Sequence, residues 1–185
     1  MPGPTTQWAF TSPFEGVVEH LYIDSRGHVT CGAGFLVPSA SALGRYPWHP
    51  SVATALGDWH DLQVIGNTPG FEPAKHVARS YRLRMCARLY LADIRHIFDE
   101  RVDEFRQAIA AHWDLSSQPA CVQIALVDMA YSLGTRGLSA YRRMRLALQR
   151  RDYAAASAES ERGGVQAARN DATRRLIASA GGVHG

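Results

Sequence analysis

The chain has 185 residues, 46% hydrophobic and 20% charged, with a formal net charge of +3. This length fits one domain or two small lobes sharing a core, and the composition indicates neither a disordered chain nor a membrane protein. Residues 136–185 contain ten arginines and four acidic residues, so this end carries +6 and residues 1–135 carry −3. A surface this basic attracts polyanions such as nucleic acid, anionic lipid or the bacterial wall, although solvated helix faces would explain it equally well.

The first predicted elements are a helix start and a β-hairpin. Ser12–Glu15 reads S-P-F-E, which matches a capping box at the start of a helix. Residues 20–37 then alternate in polarity and contain β-branched and aromatic side chains, interrupted by D-S-R-G at 24–27. That pattern predicts two antiparallel strands joined by a turn.

The middle of the chain changes pattern twice. Residues 38–73 are rich in Pro, Gly, Ser and Trp, which indicates an irregular loop with short helices, or a lid. From about residue 72 to 113 apolar residues recur near a 3.6-residue period, which predicts two or more helices.

The last third is predicted to be helical. Its clearest helix starts after a cap at Ser116 or Ser117, contains Pro119 early and stops at Gly134. Shorter helices are expected over 138–149, 152–161 and 166–180, and the G-G-V-H-G tail is expected to be frayed.

The cysteines and histidines predict neither a disulfide framework nor a metal site. Cys31, Cys86 and Cys121 form an odd count in apolar contexts, so we expect reduced thiols in the core. The eight histidines are dispersed without metal-ligand spacing. No metal and no cofactor are therefore expected.

Three polar residues around the hairpin point to chemistry when they are taken together. Alone, Glu15 fits the capping box, Asp24 fits a turn residue that bonds its own backbone, and Thr30 fits an ordinary strand. In a hairpin, however, Asp24 and Thr30 can meet on one face, while Glu15 enters from the preceding segment. One carboxyl group facing a carboxylate and a hydroxyl is what glycosidic hydrolysis by inversion needs.

The same region resembles a known family. Glu15-Gly16, Tyr22, Asp24, Gly27, Thr30 and a G-x-G at 32–34 are similar to the signature of the tailed-phage lysozymes, glycoside hydrolase family 24. Residues 121–160 resemble the family's long central helix and the short helices after it. Residues 169–177 look like its terminal arginine-rich helix.

The resemblance implies a single α+β, lysozyme-like domain over residues 1–185. A small hairpin lobe (about 15–75) and a larger helical lobe (about 76–180, plus the N-terminal segment) would enclose a cleft. The implied activity is that of a muramidase, which cleaves the β-1,4 bond between N-acetylmuramic acid and N-acetylglucosamine.

The resemblance also implies roles for individual residues. Glu15 would be the general acid, Asp24 would activate water or stabilise positive charge, and Thr30 would position that water. The implied substrate-binding residues are Gly32, Gly34 and Phe35, which stands where the family usually has histidine. Either Arg169 or Arg174 would orient the acid.

Two other readings stay open at this point. A lytic transglycosylase cleaves the same bond with a single acid and leaves an anhydro end. A non-catalytic wall- or nucleic-acid-binding module would use the basic C-terminal third and would show a steep salt dependence.

The expected partners and compartment follow from the muramidase reading. We expect a monomer that binds peptidoglycan glycan strands, does not bind nucleic acid and does not insert into a membrane. The N-terminus lacks the basic and apolar regions of a signal peptide, so we expect synthesis in the cytoplasm. Action in the periplasm or wall would then need lysis-linked release, as for an endolysin, or a secretion machine, as for a toxin with a cognate immunity protein.

Overall fold

The structure, a computed structural model, describes residues 6–182 and shows an α+β protein. The chain divides into two compact units, one of residues 15–98 and the other of residues 6–14 and 99–182. Across the described residues no helix is both long and apolar enough to cross a membrane. The α-helices are α1 (Gln7–Glu15), α2 (Val52–Gly66), α3 (Leu91–Trp113), α4 (Ala120–Leu138), α5 (Arg142–Gln149), α6 (Tyr153–Ala158) and α7 (Ala167–Ser179).

The predicted hairpin is confirmed and gains a third strand. The strands β1 (Val18–Ile23), β2 (Val29–Gly32) and β3 (Phe35–Leu36) form an antiparallel sheet in that order. Tyr22 pairs with Thr30 and Ile23 with Val29. Because side chains alternate across a strand, Ile23 and Val29 share one face and Tyr22 and Thr30 the other. The first of these faces carries part of the unit's core: Leu21, Ile23, Val29 and Cys31, each at most 5% exposed.

Residues 38–73, predicted as an irregular loop with short helices or as a lid, do contain helices, but the second of them is longer than expected. A 3₁₀ helix at Ala40–Arg45 is followed by the 15-residue helix α2. Ser51 caps α2 by accepting a hydrogen bond from the amide of Thr54 at 3.2 Å. Ala55, Asp58 and Leu62 are buried at helical spacing along one side. The flanking prolines and glycines concealed this short apolar stripe.

The helical pattern predicted from residue 72 begins only at Leu91. Before it lie two 3₁₀ turns, Pro73–Lys75 and Ala78–Tyr81. Residues 85–90 then alternate between buried and more exposed positions, which is the period of an extended segment rather than of a helix. This alternation also exposes Cys86, which was expected in the core, whereas Cys31 is buried and Cys121 is half-buried.

The helices of the second unit follow the predicted pattern closely. The α4 helix begins after Pro119, so the caps predicted at Ser116 or Ser117 are wrong, and those residues lie in the 3₁₀ helix Leu115–Ser117. Gly134 has a φ of 72° and kinks α4, which continues to Leu138. The helices α5, α6 and α7 lie within the three predicted ranges. The tail prediction falls partly on residues 183–185, which lie outside the described residues.

Candidate functional site

Glu15 is the last residue of α1, and this position explains the E-G pair. Gly16 has a φ of 74°, the left-handed conformation that commonly ends a helix at a glycine. The helix starts after Thr6, whose hydroxyl accepts a hydrogen bond from the amide of Ala9 at 3.2 Å. The capping box at Ser12–Glu15 is therefore wrong: both residues lie inside α1, at its end, and Pro13 is also within the helix.

The carboxylate of Glu15 lies against the tight turn between β2 and β3. Gly34 in that turn has a φ of 77°, and a Cβ atom there would stand 2.7 Å from Oε2 of Glu15. Any side chain at Gly34 would therefore displace the carboxylate. This close approach requires a glycine for a reason that the sequence alone does not reveal.

Gly32 and Phe35 also differ from their expected part in substrate binding. A Cβ atom on Gly32 would lie 2.3 Å from the ring of Phe35, which fills that space. The Phe35 side chain is 0% exposed and stacks on Tyr46 with ring centroids 6.2 Å apart. The space beside both glycines of the G-x-G is thus occupied by protein side chains, and Phe35 supports the hairpin from inside instead of presenting a surface to a ligand.

Asp24 organises the turn between β1 and β2. Its Oδ1 accepts hydrogen bonds from the amides of Arg26 and His28, both at 2.9 Å. The turn-forming role anticipated for Asp24 is confirmed. Its other oxygen, Oδ2, lies 3.5 Å from Nδ1 of His28, and the side chain is 29% exposed. One oxygen therefore fixes the backbone of the turn, and the second faces the His28 ring.

Thr30 is connected to Asp24 through the backbone of His28. The carbonyl oxygen of His28 accepts from the Asp24 amide at 2.9 Å and from the Thr30 hydroxyl at 3.2 Å. Thr30 is 4% exposed and lies opposite Tyr22 on the face that Asp24 extends. No direct hydrogen bond joins Thr30 to Asp24 among the described residues, so His28 is the link that sequence reasoning missed.

Tyr22 is the residue that brings the two carboxylates into one electrostatic environment. Burial raises the pKa of Tyr22 to about 12, and the negative charges of the Asp24 and Glu15 carboxylates add to that rise. Glu15 and Asp24 therefore both lie close enough to act on one phenol. The sequence offered Tyr22 only as part of the L-Y-I-D run, without a role.

We expect Tyr22 to make the folded state sensitive to strong alkali. An ordinary tyrosine ionises near 10, so between pH 10 and about 12 the unfolded chain loses a proton that the folded chain keeps. Stability should therefore fall as the pH rises through this window, by up to about 2–3 kcal/mol from this group. Urea unfolding of wild type and Tyr22→Phe at pH 8 and pH 11.5 measures this loss of folding free energy. The variant should lose less stability than wild type; equal losses would contradict the account.

A Gly34→Ala substitution tests the approach of Glu15 to the turn. The left-handed φ alone should cost about 1–3 kcal/mol of folding free energy. If Glu15 is the general acid that the family resemblance implies, displacing its carboxylate by about 1 Å should additionally lower the rate of glycan cleavage by about 100-fold. Gly164→Ala is the matched control, because Gly164 has a φ of 71° and nothing within 4 Å of its Cβ position. Unfolding and activity assays on both proteins separate strain from displacement; equal activity in the two would contradict the proposed contact.

A recess of about 600 Å³ opens immediately after Glu15 in the same unit. Val17 and Leu91 give it exposed apolar surface. Arg79 and Arg82 outnumber the one acidic residue of its lining, Glu19, so its net charge is positive. The ring of His20 lies 3.0 Å from the carbonyl oxygen of Ala78. Burial lowers the pKa of His20 and the nearby arginines lower it further, so His20 is neutral at physiological pH.

The two arginines expected to orient Glu15 belong to the other compact unit. Arg169 binds the carboxylate of Asp128 through Nε and Nη2, at 2.8 Å for the shortest contact, and its guanidinium lies 5.6 Å from the centre of the Phe14 ring. Arg174, whose side chain is 42% exposed, pairs with Asp171 and, at 3.7 Å, with Glu161. The orientation of Glu15 by Arg169 or Arg174 stays a prediction.

Asp128 is the centre of a buried ion cluster that the sequence did not reveal. Its carboxylate also accepts from the Thr11 hydroxyl at 2.9 Å and from Arg162 at 2.9 Å. Arg162 is 1% exposed, and its remaining donors reach Asn170, Ser132, the Arg169 carbonyl and Thr173. The cluster joins α1, α4 and α7 within their unit.

Neither a scan of protein-family models nor a search of the curated proteins finds a match to this chain. Within residues 6–182, no group of three or more His, Cys, Asp or Glu side chains is placed to hold a metal ion.

Proposed function

We propose that the protein is a peptidoglycan hydrolase with a lysozyme-like fold, a muramidase that cleaves the β-1,4 bond between N-acetylmuramic acid and N-acetylglucosamine. The proposal rests on two carboxylates of one compact unit, Glu15 against the turn between β2 and β3 and Asp24 in the turn between β1 and β2. Their surroundings differ. The Glu15 carboxylate is held against the Gly34 turn, whereas Asp24 has one oxygen fixed by amides and one without such bonds.

Two carboxyl groups in unlike surroundings can divide the work of glycoside hydrolysis. Glu15, protonated, donates its proton to the glycosidic oxygen as the bond to the anomeric carbon breaks. Asp24, ionised, accepts a proton from the water whose oxygen forms the new bond to that carbon. Thr30 would orient this water by accepting a hydrogen bond from it, since its own hydroxyl proton is donated to the His28 carbonyl oxygen.

The recess lined by Val17 and the following residues of β1 supports a polymeric substrate with anionic branches. Its apolar wall suits the faces of sugar rings, and Arg79 and Arg82 suit the carboxylates that bacterial wall peptides carry. Partner and compartment belong to the same proposal. The substrate would be reached in the periplasm or wall, after lysis or through a secretion machine, and an immunity protein that covers Glu15 would be the natural inhibitor.

Product analysis tests the proposed reaction against its alternatives. Purified peptidoglycan digested by the wild-type chain should yield muropeptides with reducing N-acetylmuramic acid ends, one for each bond cleaved. Mass spectrometry distinguishes these from anhydro ends, which are lighter by one water and would indicate a lytic transglycosylase. If the glycan strands stay intact but the protein sediments with them, the protein is a binding module. Either result, anhydro ends or binding without cleavage, contradicts the proposal.

A further inference from the structure

A second recess, of about 370 Å³, lies between the end of α2 and the 3₁₀ turns that precede α3. Its volume is within the range of small-molecule sites. The walls include Thr68, Phe71, His76, Ser80, Tyr81 and Arg84. Nothing in the proposed reaction uses these residues, so the recess needs a separate explanation.

Tyr81 gives the first indication of a ligand. Its side chain is 2% exposed, and its hydroxyl has no hydrogen-bond partner among the described residues. Buried polar groups are nearly always paired, because an unpaired one loses its bonds to water and gains nothing. Burial raises the pKa of Tyr81, so its hydroxyl keeps its proton at neutral pH and can donate it.

The charge of the recess gives the second indication. Arg84 is exposed and forms no ion pair with any residue in the described range, and no acidic side chain lines the recess. The Phe71 ring stacks on His76, with centroids 4.8 Å apart and an angle of 21° between the planes. The recess thus combines one uncompensated guanidinium with a flat aromatic wall. A carboxylate attached to an apolar or amide group fits both features.

The recess also lies beside the turn that carries Asp24. Pro73, which stands between Phe71 and His76 in the chain, would be 3.6 Å from a Cβ atom on Gly27 in that turn. The Ala78–Tyr81 turn packs against β1. A glycan at Asp24 could therefore place a side branch in this recess.

We propose that this recess binds a carboxylate of the peptide that the glycan substrate carries, with Arg84 and Tyr81 as its donors and Phe71 and His76 as its apolar wall. This inference rests on the proposed function. Cleavage would then depend on the peptides attached to the glycan. An enzyme that bound the glycan alone would cleave strands with and without peptides equally well.

The test compares two substrates and four proteins, the wild type and three variants. Glycan cleavage is measured on peptidoglycan and on the same strands after an amidase has removed the peptides. Arg84→Gln should raise KM about tenfold on the first substrate, the loss expected for one charge-assisted hydrogen bond, and leave the second unchanged. Tyr81→Phe should raise KM several-fold on the first alone. Arg150→Gln, an exposed arginine in the other unit, should match wild type on both.

A binding measurement keeps the inference separable from the proposed function. A free tetrapeptide of the wall type is titrated into the full chain by calorimetry, alongside its carboxamide form and acetate. The tetrapeptide should bind, the carboxamide about tenfold more weakly, and acetate not measurably. Loss of affinity in Tyr81→Phe with a thermal midpoint equal to or above wild type would mark the hydroxyl as ligand-binding.

The possible outcomes separate the two claims. Three results would overturn the recess assignment and leave the muramidase proposal standing. These are a carboxamide that binds as tightly as the tetrapeptide, acetate that binds as tightly as the tetrapeptide, and variants whose KM changes equally on both substrates. Peptide binding by a chain that cleaves neither substrate would overturn the muramidase proposal instead.

Discussion

Substitution of Glu15 by Gln is expected to abolish the release of reducing ends from peptidoglycan without unfolding the protein. The change keeps the shape of the side chain that lies against the Gly34 turn but removes the proton that protonates the glycosidic oxygen. General acid catalysis contributes about 10²–10⁴ in rate, so activity should fall by at least two orders of magnitude. Initial rates of reducing-end formation and thermal midpoints measure both parts of the prediction.

Glu104→Gln is the matched control for this variant. Glu104 is an exposed residue of α3, and its replacement removes the same charge from the chain. It should cleave peptidoglycan at the wild-type rate. A comparable loss in both variants would assign the effect to net charge on a basic protein that binds an anionic polymer, and would remove the argument for Glu15 as the acid.

The largest expected effect on stability comes from Asp128→Asn. The substitution leaves Arg162 and Arg169 buried without their counter-ion, because both guanidiniums bond to the Asp128 carboxylate at 3.2 Å or less. Removing one partner from a buried ion pair typically costs about 3–5 kcal/mol. For a chain of this size the thermal midpoint should fall by roughly 10 °C.

The control for Asp128→Asn is Asp171→Asn, which breaks a largely solvent-exposed ion pair with Arg174 on α7. Exposed pairs contribute about 0–1 kcal/mol, so this variant should unfold close to wild type. Urea unfolding of the two variants side by side gives both free energies. Similar losses would show that the buried cluster contributes no more than a surface pair.

The hairpin could be predicted from the sequence because its signals are local. Asp24 bonds amides two and four residues ahead, and alternation between β1 and β2 decides which side chains share a face. The helices of the last third were predictable for the same reason, since each apolar stripe repeats at the helical period. The α2 helix was hidden because its stripe contains only three buried residues, one of them Asp58.

The parts of the candidate site that the sequence could not reveal depend on distant contacts. The left-handed φ of Gly34 is a local feature, but the carboxylate beside it comes from Glu15, nineteen residues earlier. Tyr22 acquires its shifted pKa from burial and from carboxylates on two different segments. Arg162 and Asp128 are 34 residues apart and meet only after α4 and the segment before α7 have packed. No local pattern encodes such pairs.

The central claim is that this chain cuts peptidoglycan with Glu15 as its acid and Asp24 as the group that receives the proton of water. The most direct measurement is the clearing of a turbid suspension of purified walls by wild type, Glu15→Gln and Asp24→Asn at equal concentrations, with a thermal scan to show that each is folded. The account predicts clearing by the wild type alone. Clearing by folded Glu15→Gln at the wild-type rate would contradict it.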